Sequence, residues 1–180
     1  MQKKLGRNTV VLLGIGHTNA HVLRKWKMKP LENAELVCVS NFPISTYSGM
    51  LPGVLSGQYP AEKMEIDLVR LCAASGVRLI LDEVVGVDPL EQRLLFRNRP
   101  SLTYDALSIG VGSVPTLGDV EISDPSPLIS VKPMQTFLSR LRGRLQAFQG
   151  GGNPRVAVVG GGIGSIEIAF CLDQRMKTNP

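Results

Sequence analysis

Apolar positions along the chain follow two periods. From Thr9 a continuous apolar run, TVVLL, opens into Gly14 and Gly16 and then into HTNAHVLRKWKMKP, a helical stretch that Pro30 should end. AELVCVS, residues 34–40, is a second short apolar run and predicts a second buried strand. Strand, glycine turn, helix and strand make the βαβ opening of a parallel sheet, so the fold class is α/β. NFPISTYSGMLPGVLSGQYP, residues 41–60, holds too many prolines and glycines for a regular element and is too apolar for a solvated linker. It predicts an ordered loop with a short helical turn.

Met64, Leu68, Leu71 and Cys72 then share one helical face, closed by Gly76. VRLILDEVVGVD and RLLFRN alternate like strands about a turn at Pro89 and Leu90, which predicts a small antiparallel insertion. YDALSIGVGS, residues 104–113, predicts a further buried strand. Residues 114–131 are proline-rich and read as a linker. Met134, Phe137, Leu138, Leu141, Leu145 and Phe148 mark a helix that begins after Lys132 and Pro133 and fades into Gly150, Gly151 and Gly152. A new strand is expected from Arg155, where RVAVVGGGIGSIE repeats the strand and glycine turn of residues 9–16.

Composition narrows the class. With 180 residues, 43% of them hydrophobic and 19% charged, the chain suits one globular domain, or one and part of another. The net charge of +5 raises nucleic acid as a partner. Arg24, Lys25, Lys27 and Lys29 nevertheless sit at the end of the first helix, where cations face the negative end of its dipole, and no nucleic-acid face is expected. Cys38, Cys72 and Cys171 are odd in number, far apart, and not at metal-ligand spacing with His17 or His21, so they read as reduced thiols of a cytoplasmic protein without a metal site. Lys3, Lys4 and Arg7 before the first apolar run imitate a signal peptide, but Gly14 and Gly16 break that run too soon. No segment approaches the roughly 18 apolar residues of a spanning helix, so any membrane contact would be peripheral.

Glycine turns after a strand let backbone amides approach a pyrophosphate, and the following helix favours its negative charge. The first turn has Gly14 and Gly16, with Asn19 in place of the third glycine of GxGxxG; the second has Gly160 and Gly162, with Ser165 in that place. Each alone also suits an ordinary tight β-to-α turn. The acid that commonly holds a ribose at the end of the second strand is missing, and Ser40 or Asn41 would have to make those hydrogen bonds neutrally. His17 suits either a helix cap or a phosphate contact. His21 reads as structural, Asp67 and Asp105 as cap or turn residues, and Met50 as packing. No residue presents itself as a catalytic acid, base or nucleophile.

VVLLGIGHTNAHVLRKW, YSGMLPGVLSGQY, YDALSIGVGS, SVKPM and VAVVGGGIGSIE, in this order, resemble the pyridine nucleotide-disulfide oxidoreductase superfamily of flavoproteins with two dinucleotide domains. Within it the likeness is nearest to the branch around type II NADH dehydrogenases, and to FAD-dependent proteins associated with selenide, water dikinase. The resemblance spans nearly the whole chain, and YSGMLPG is its most specific string. It implies an FAD-binding Rossmann-like parallel sheet with a small antiparallel insertion in residues 1–131. A connecting helix and glycine-rich linker would follow in 132–153, and the incomplete start of an NAD(P)H-binding domain in 154–180.

The resemblance further implies that Gly14, Gly16 and the amides of His17 and Thr18 sit at the FAD pyrophosphate; Asn19, a cofactor-site candidate there, and Ser40 and Asn41, candidates for the ribose, depart from the family's pattern. Tyr47, Ser48, Gly49, Pro52 and Gly53 would lie against the flavin. Gly110 and Gly112 would close the flavin domain where relatives usually carry Ala-Thr-Gly. Gly160, Gly162 and Glu167 would serve NAD(P)H. A complete enzyme of this kind would pass hydride from NAD(P)H to FAD and on to a small-molecule acceptor such as a quinone. YSGMLPG has no cysteine where disulfide-reductase members carry a pair, so no thiol relay is expected. A truncated second domain would leave Val156, Val158, Val159, Ile166 and Ile168 to dock or to promote self-association. A non-redox nucleotide-binding or sensor module of Rossmann type is the alternative.

Overall fold

The computed structural model of the chain describes residues 6–115, 120–150 and 154–178. Lys3, Lys4, part of the proline-rich linker, Gly151, Gly152 and Pro180 lie outside the described residues. Two compact units divide the chain. The first takes the chain up to Ser45 and Ile66–Gly112, and the second takes Thr46–Glu65 and the chain from Ser113 onward.

The first unit is built on a parallel sheet. Strand β1 (Asn8–Leu13) pairs with β2 (Ala34–Ser40), β2 with β5 (Arg78–Leu81), and β1 with β9 (Ala106–Ile109), giving the order β5-β2-β1-β9. Helix α1 (His17–Met28) makes the crossover from β1 to β2 and is capped by Lys29, just before Pro30, as the breaker predicts. Its Leu23 packs with Leu12, Leu36 and Cys38 of the sheet and with Leu68 and Cys72 of α3 (Leu68–Ala74). The sheet's other face buries Val11, Leu13, Val37 and Val39 against Leu94 and Phe96. Both faces of β1 and β2 are thus covered, which is why these strands read as unbroken apolar runs.

Three sequence expectations change here. Helix α3 starts at Leu68, not Met64, because residues 61–64 form a 3-10 turn and Glu65–Asp67 a short strand, β4, paired with β3 (Ile44–Thr46). Asp67 then caps α3, accepting from the Arg70 amide at 2.9 Å, as a cap residue should. VRLILDEVVGVD is two strands, not one: β5 extends the parallel sheet, and β6 (Val84–Asp88) begins the antiparallel sheet completed by β7 (Arg93–Phe96) and β8 (Leu102–Thr103). Strand β9, expected to be buried, is a sheet edge, and Ile109 is 60% exposed.

The second unit is helical. Leu51, Val54 and Leu55 of α2 (Leu51–Leu55), Met134, Phe137 and Leu141 of α4 (Met134–Gln146), and Leu172 of α5 (Ile163–Thr178) form its core with Met64. The strand expected from Arg155 is not formed, and residues 154–161 carry no regular structure. A strand needs a ladder partner for its amides and carbonyls, and among the described residues none pairs with this stretch.

Candidate functional site

Parallel α/β sheets hold ligands beyond the carboxyl ends of their strands, where the strand order reverses. Here β2 lies on one side of β1 and β9 on the other, so the reversal lies at β1, whose carboxyl end is the Gly14–Gly16 turn. The turn is anchored on both sides: the Gly14 amide donates to the Val39 carbonyl at 2.8 Å and the Gly110 amide to the Leu13 carbonyl at 2.7 Å.

Each glycine has a separate reason. Gly14 has φ +75°, and a Cβ there would stand 2.6 Å from the Gly110 carbonyl oxygen, so no side chain fits. Gly16 is different. Its backbone is ordinary extended chain, φ −78° and ψ −175°, and a Cβ would meet only the Gly110 oxygen at 3.6 Å, a normal contact. Nothing in the described fold requires glycine at 16. Its bare Cα leaves the exposed start of α1, with His17 and Thr18, open to close approach by a ligand. No carboxylate stands in the first turn of α1 to compete with an anion.

Asn19 is 1% exposed and faces inward. Its Nδ2 donates to the Gly14 carbonyl at 2.7 Å, and its Oδ1 accepts from Ser108 Oγ at 2.8 Å. The side chain is therefore spent on β1 and β9 and is not displayed to solvent. A Cβ on Gly110 would fall 2.7 Å from Asn19 Nδ2, so the glycine at 110 makes room for the asparagine at 19. Sequence reasoning missed Ser45, which is buried and donates to the Ile15 carbonyl at 2.5 Å. Its only trace in the sequence is a small polar residue next to an apolar one.

At the end of β2, Ser40 Oγ donates to the Phe42 carbonyl at 2.8 Å and accepts from the Phe42 amide at 3.2 Å, closing a local turn. Its proton is spent, while Asn41 is exposed. Gly112 is exposed beyond β9, with nothing within 4 Å of a Cβ placed on it. Asp105 accepts from the Thr9 amide at 2.7 Å, the turn role expected of it.

The remaining predicted residues belong to the second unit. Tyr47, Ser48 and Gly49 are exposed at a 3-10 turn, and Pro52 and Gly53 lie in α2. The space beside Gly53 is taken by the Tyr59 ring, 2.6 Å from where a Cβ would stand. Gly160 leaves room for Ser165 Oγ, also at 2.6 Å, whereas Gly162 and Glu167 are exposed around the start of α5.

Cys38 and Cys72 are both buried in the core between β2 and α3. The hydrogen bond with Cys72, followed by burial, pushes the Cys38 thiol well above its ordinary range. Among the described residues no group of three or more His, Cys, Asp or Glu side chains is arranged to hold a metal ion.

No protein-family model matches the chain, and no curated protein matches it by sequence. Solved structures do. A NAD-dependent persulfide reductase from A. fulgidus aligns over 93% of this chain with a TM-score of 0.76 and 17% identity. This chain has the fold of these oxidoreductases. The NADH:rubredoxin oxidoreductase of Clostridium acetobutylicum aligns over 94% with a TM-score of 0.69 and 15% identity. Reduced CoADR-RHD of Bacillus anthracis aligns over 97% with a TM-score of 0.71 and 20% identity. The chain spans 32%, 42% and 32% of these three structures respectively. The shared architecture is a Rossmann-like parallel sheet with a small antiparallel sheet.

Proposed function

We propose that the chain is the FAD-binding part of an NAD(P)H-dependent flavoprotein oxidoreductase, with the FAD pyrophosphate on the Gly14–Gly16 turn. The observation that carries this reading is Gly16: exposed, unstrained, and without any intramolecular contact that forbids a side chain. Fold neighbours that include NADH- and NAD-dependent enzymes support it.

The residues present fit a dinucleotide diphosphate. The Gly14–Gly16 backbone and the positive end of α1 would hold the phosphates, with Thr18 beside them as a hydroxyl donor. Asn41 would be the neutral partner of the ribose, and Gly110 and Gly112 would flank the phosphates. By resemblance, Tyr47, Ser48, Gly49 and Pro52 are assigned to the flavin ring, and Gly160, Gly162 and Glu167 to NAD(P)H. Bound FAD would supply hydride and electron transfer. With no cysteine in 47–53, and with Cys38 and Cys72 buried in the first unit, a direct path from flavin to a small acceptor such as a quinone is the reading we favour. Self-association through Val156, Val158, Val159 and Ile166, which are exposed, belongs to the same proposal, whereas Ile168 packs against the second unit's core.

The test is a titration of the chain with FAD, followed by quenching of flavin fluorescence. Saturable binding that weakens at least tenfold in Gly16→Val, with the fold retained, supports the reading. Failure to bind at high micromolar FAD, or identical affinity in Gly16→Val, overturns it. In a longer chain that completes the second domain, bound FAD that NADH does not bleach would instead favour a non-redox nucleotide module.

A further inference from the structure

We infer that Asn19 and Ser45 are positioning residues that aim the amides of Ile15 and Gly16 at a phosphate or pyrophosphate group. This rests on reading the Gly14–Gly16 turn as the phosphate site, and adds to it the side chains that set the turn's polarity.

Asn19 Nδ2 donates to the Gly14 carbonyl at 2.7 Å, and Ser45 Oγ donates to the Ile15 carbonyl at 2.5 Å. Asn19 is 1% exposed and Ser45 8%, so both carbonyls are turned toward the interior. The peptide bonds after Gly14 and Ile15 are trans. In a planar trans peptide the N–H points opposite to the C=O of the same unit. The Ile15 amide therefore points away from Asn19, and the Gly16 amide away from Ser45. Two successive N–H groups directed outward beside a helix start form a concavity that favours an anion.

Ser108 fixes the sense of this arrangement. Its Oγ donates to Asn19 Oδ1 at 2.8 Å, which holds the oxygen end of the amide toward β9 and the NH2 end toward Gly14. The reversed amide would set oxygen against oxygen at Gly14. Without the two donors, each inward carbonyl is a buried acceptor left unpaired, and the peptide planes gain by rotating their carbonyls outward. An outward carbonyl would present lone pairs, not protons, to the phosphate. Asn19 in place of a third glycine is then part of the site's construction, and Gly110 is the space it requires.

The experiment uses the 15N-labelled chain titrated with inorganic pyrophosphate and, separately, with FAD, at one fixed ionic strength. The variants are Ser45→Ala, Ser45→Thr and Asn19→Leu. Phe96→Leu, in the core of the first unit and outside the Asn19 and Ser45 hydrogen bonds, controls for lost stability. The expected result is saturable pyrophosphate binding with shifts at the Ile15 and Gly16 amides, weakened roughly 5- to 10-fold in Ser45→Ala and in Asn19→Leu, the amount one lost hydrogen bond represents. Ser45→Thr should keep the affinity, and Phe96→Leu should lower Tm without changing it. If Asn19→Leu does not fold, the comparison of Ser45→Ala with Ser45→Thr carries the test. Equal affinity in wild type and Ser45→Ala overturns the inference and leaves the phosphate site standing. Absence of pyrophosphate binding in the wild type overturns both. Pyrophosphate binding without FAD binding keeps the inference and removes the flavin reading.

Discussion

Residue by residue, the first glycine turn separates positions that resist substitution from positions left open to it. Gly14→Ala combines positive φ with a Cβ 2.6 Å from a backbone oxygen that has little room to yield. It should destabilise the chain by about 2 kcal/mol or more, measured by chemical denaturation. Asn19 and Gly110 form a matched pair. Gly110→Ala alone should cost about 1–3 kcal/mol through overpacking against Asn19 Nδ2, and markedly less in an Asn19→Gly background; equal penalties in the two backgrounds would refute the pairing. The sequence displayed Asn19 as a departure from GxGxxG and Gly110 as a departure from Ala-Thr-Gly. That one explains the other was not legible, because Ser108 and Gly110 approach Asn19 only when β9 pairs with β1, 89 residues along the chain from Asn19 to Ser108.

Among the elements, those with a strong local signal were legible: β1, α1, β2 and α4 follow from apolar period, prolines and glycine. Helix α3 shows where period alone misleads, since Met64 lies in phase with Leu68 and Cys72 but is buried in the helical unit's core, not with theirs. Its cap fixes the start, and Asp67→Ala should lower stability by about 1 kcal/mol. The small antiparallel sheet carries an exposed ion pair, Arg97 with Glu83, and a half-buried one, Arg93 with Asp88. The hydrogen bond from Arg97 holds the Glu83 carboxyl below its ordinary 4.5, and backbone hydrogen bonding from Glu91, then Arg93, holds Asp88 below 3.8. Both folded values are depressed. Their stabilisation is thus fully present above those ordinary values and lost as pH falls through the folded ones. Hydrogen-exchange protection in β6–β8, taken relative to the intrinsic rate at each pH, should fall below about pH 4, and Arg97→Ala should shrink that acid response by removing the Glu83 pair. Solvent and salt screen both pairs, so the effect should be small and should fade in high salt.

For the whole molecule, the thiols report folding. Cys38 and Cys72 are buried, and burial, then the Glu167 charge, pushes the half-buried Cys171 thiol up. A thiol reagent at neutral pH should therefore leave Cys38 and Cys72 unmodified until denaturant is added, and should modify Cys171 slowly, faster as pH rises. FAD, if bound as proposed, should raise Tm with concentration by mass action. Among the described residues no helix is long and apolar enough to cross a membrane. The α/β class, the glycine turn after β1, the antiparallel insertion and the end of α1 were determined by the sequence itself, because each depends on residues close together along the chain. Tertiary structure alone decided that β9 is an edge, that residues 154–161 form no strand, that Gly53 accommodates Tyr59, and that Asn19 and Ser45 hold the turn's carbonyls inward. Those outcomes depend on which distant segment supplies the hydrogen-bond partner or fills the space, and local pattern does not encode the partner.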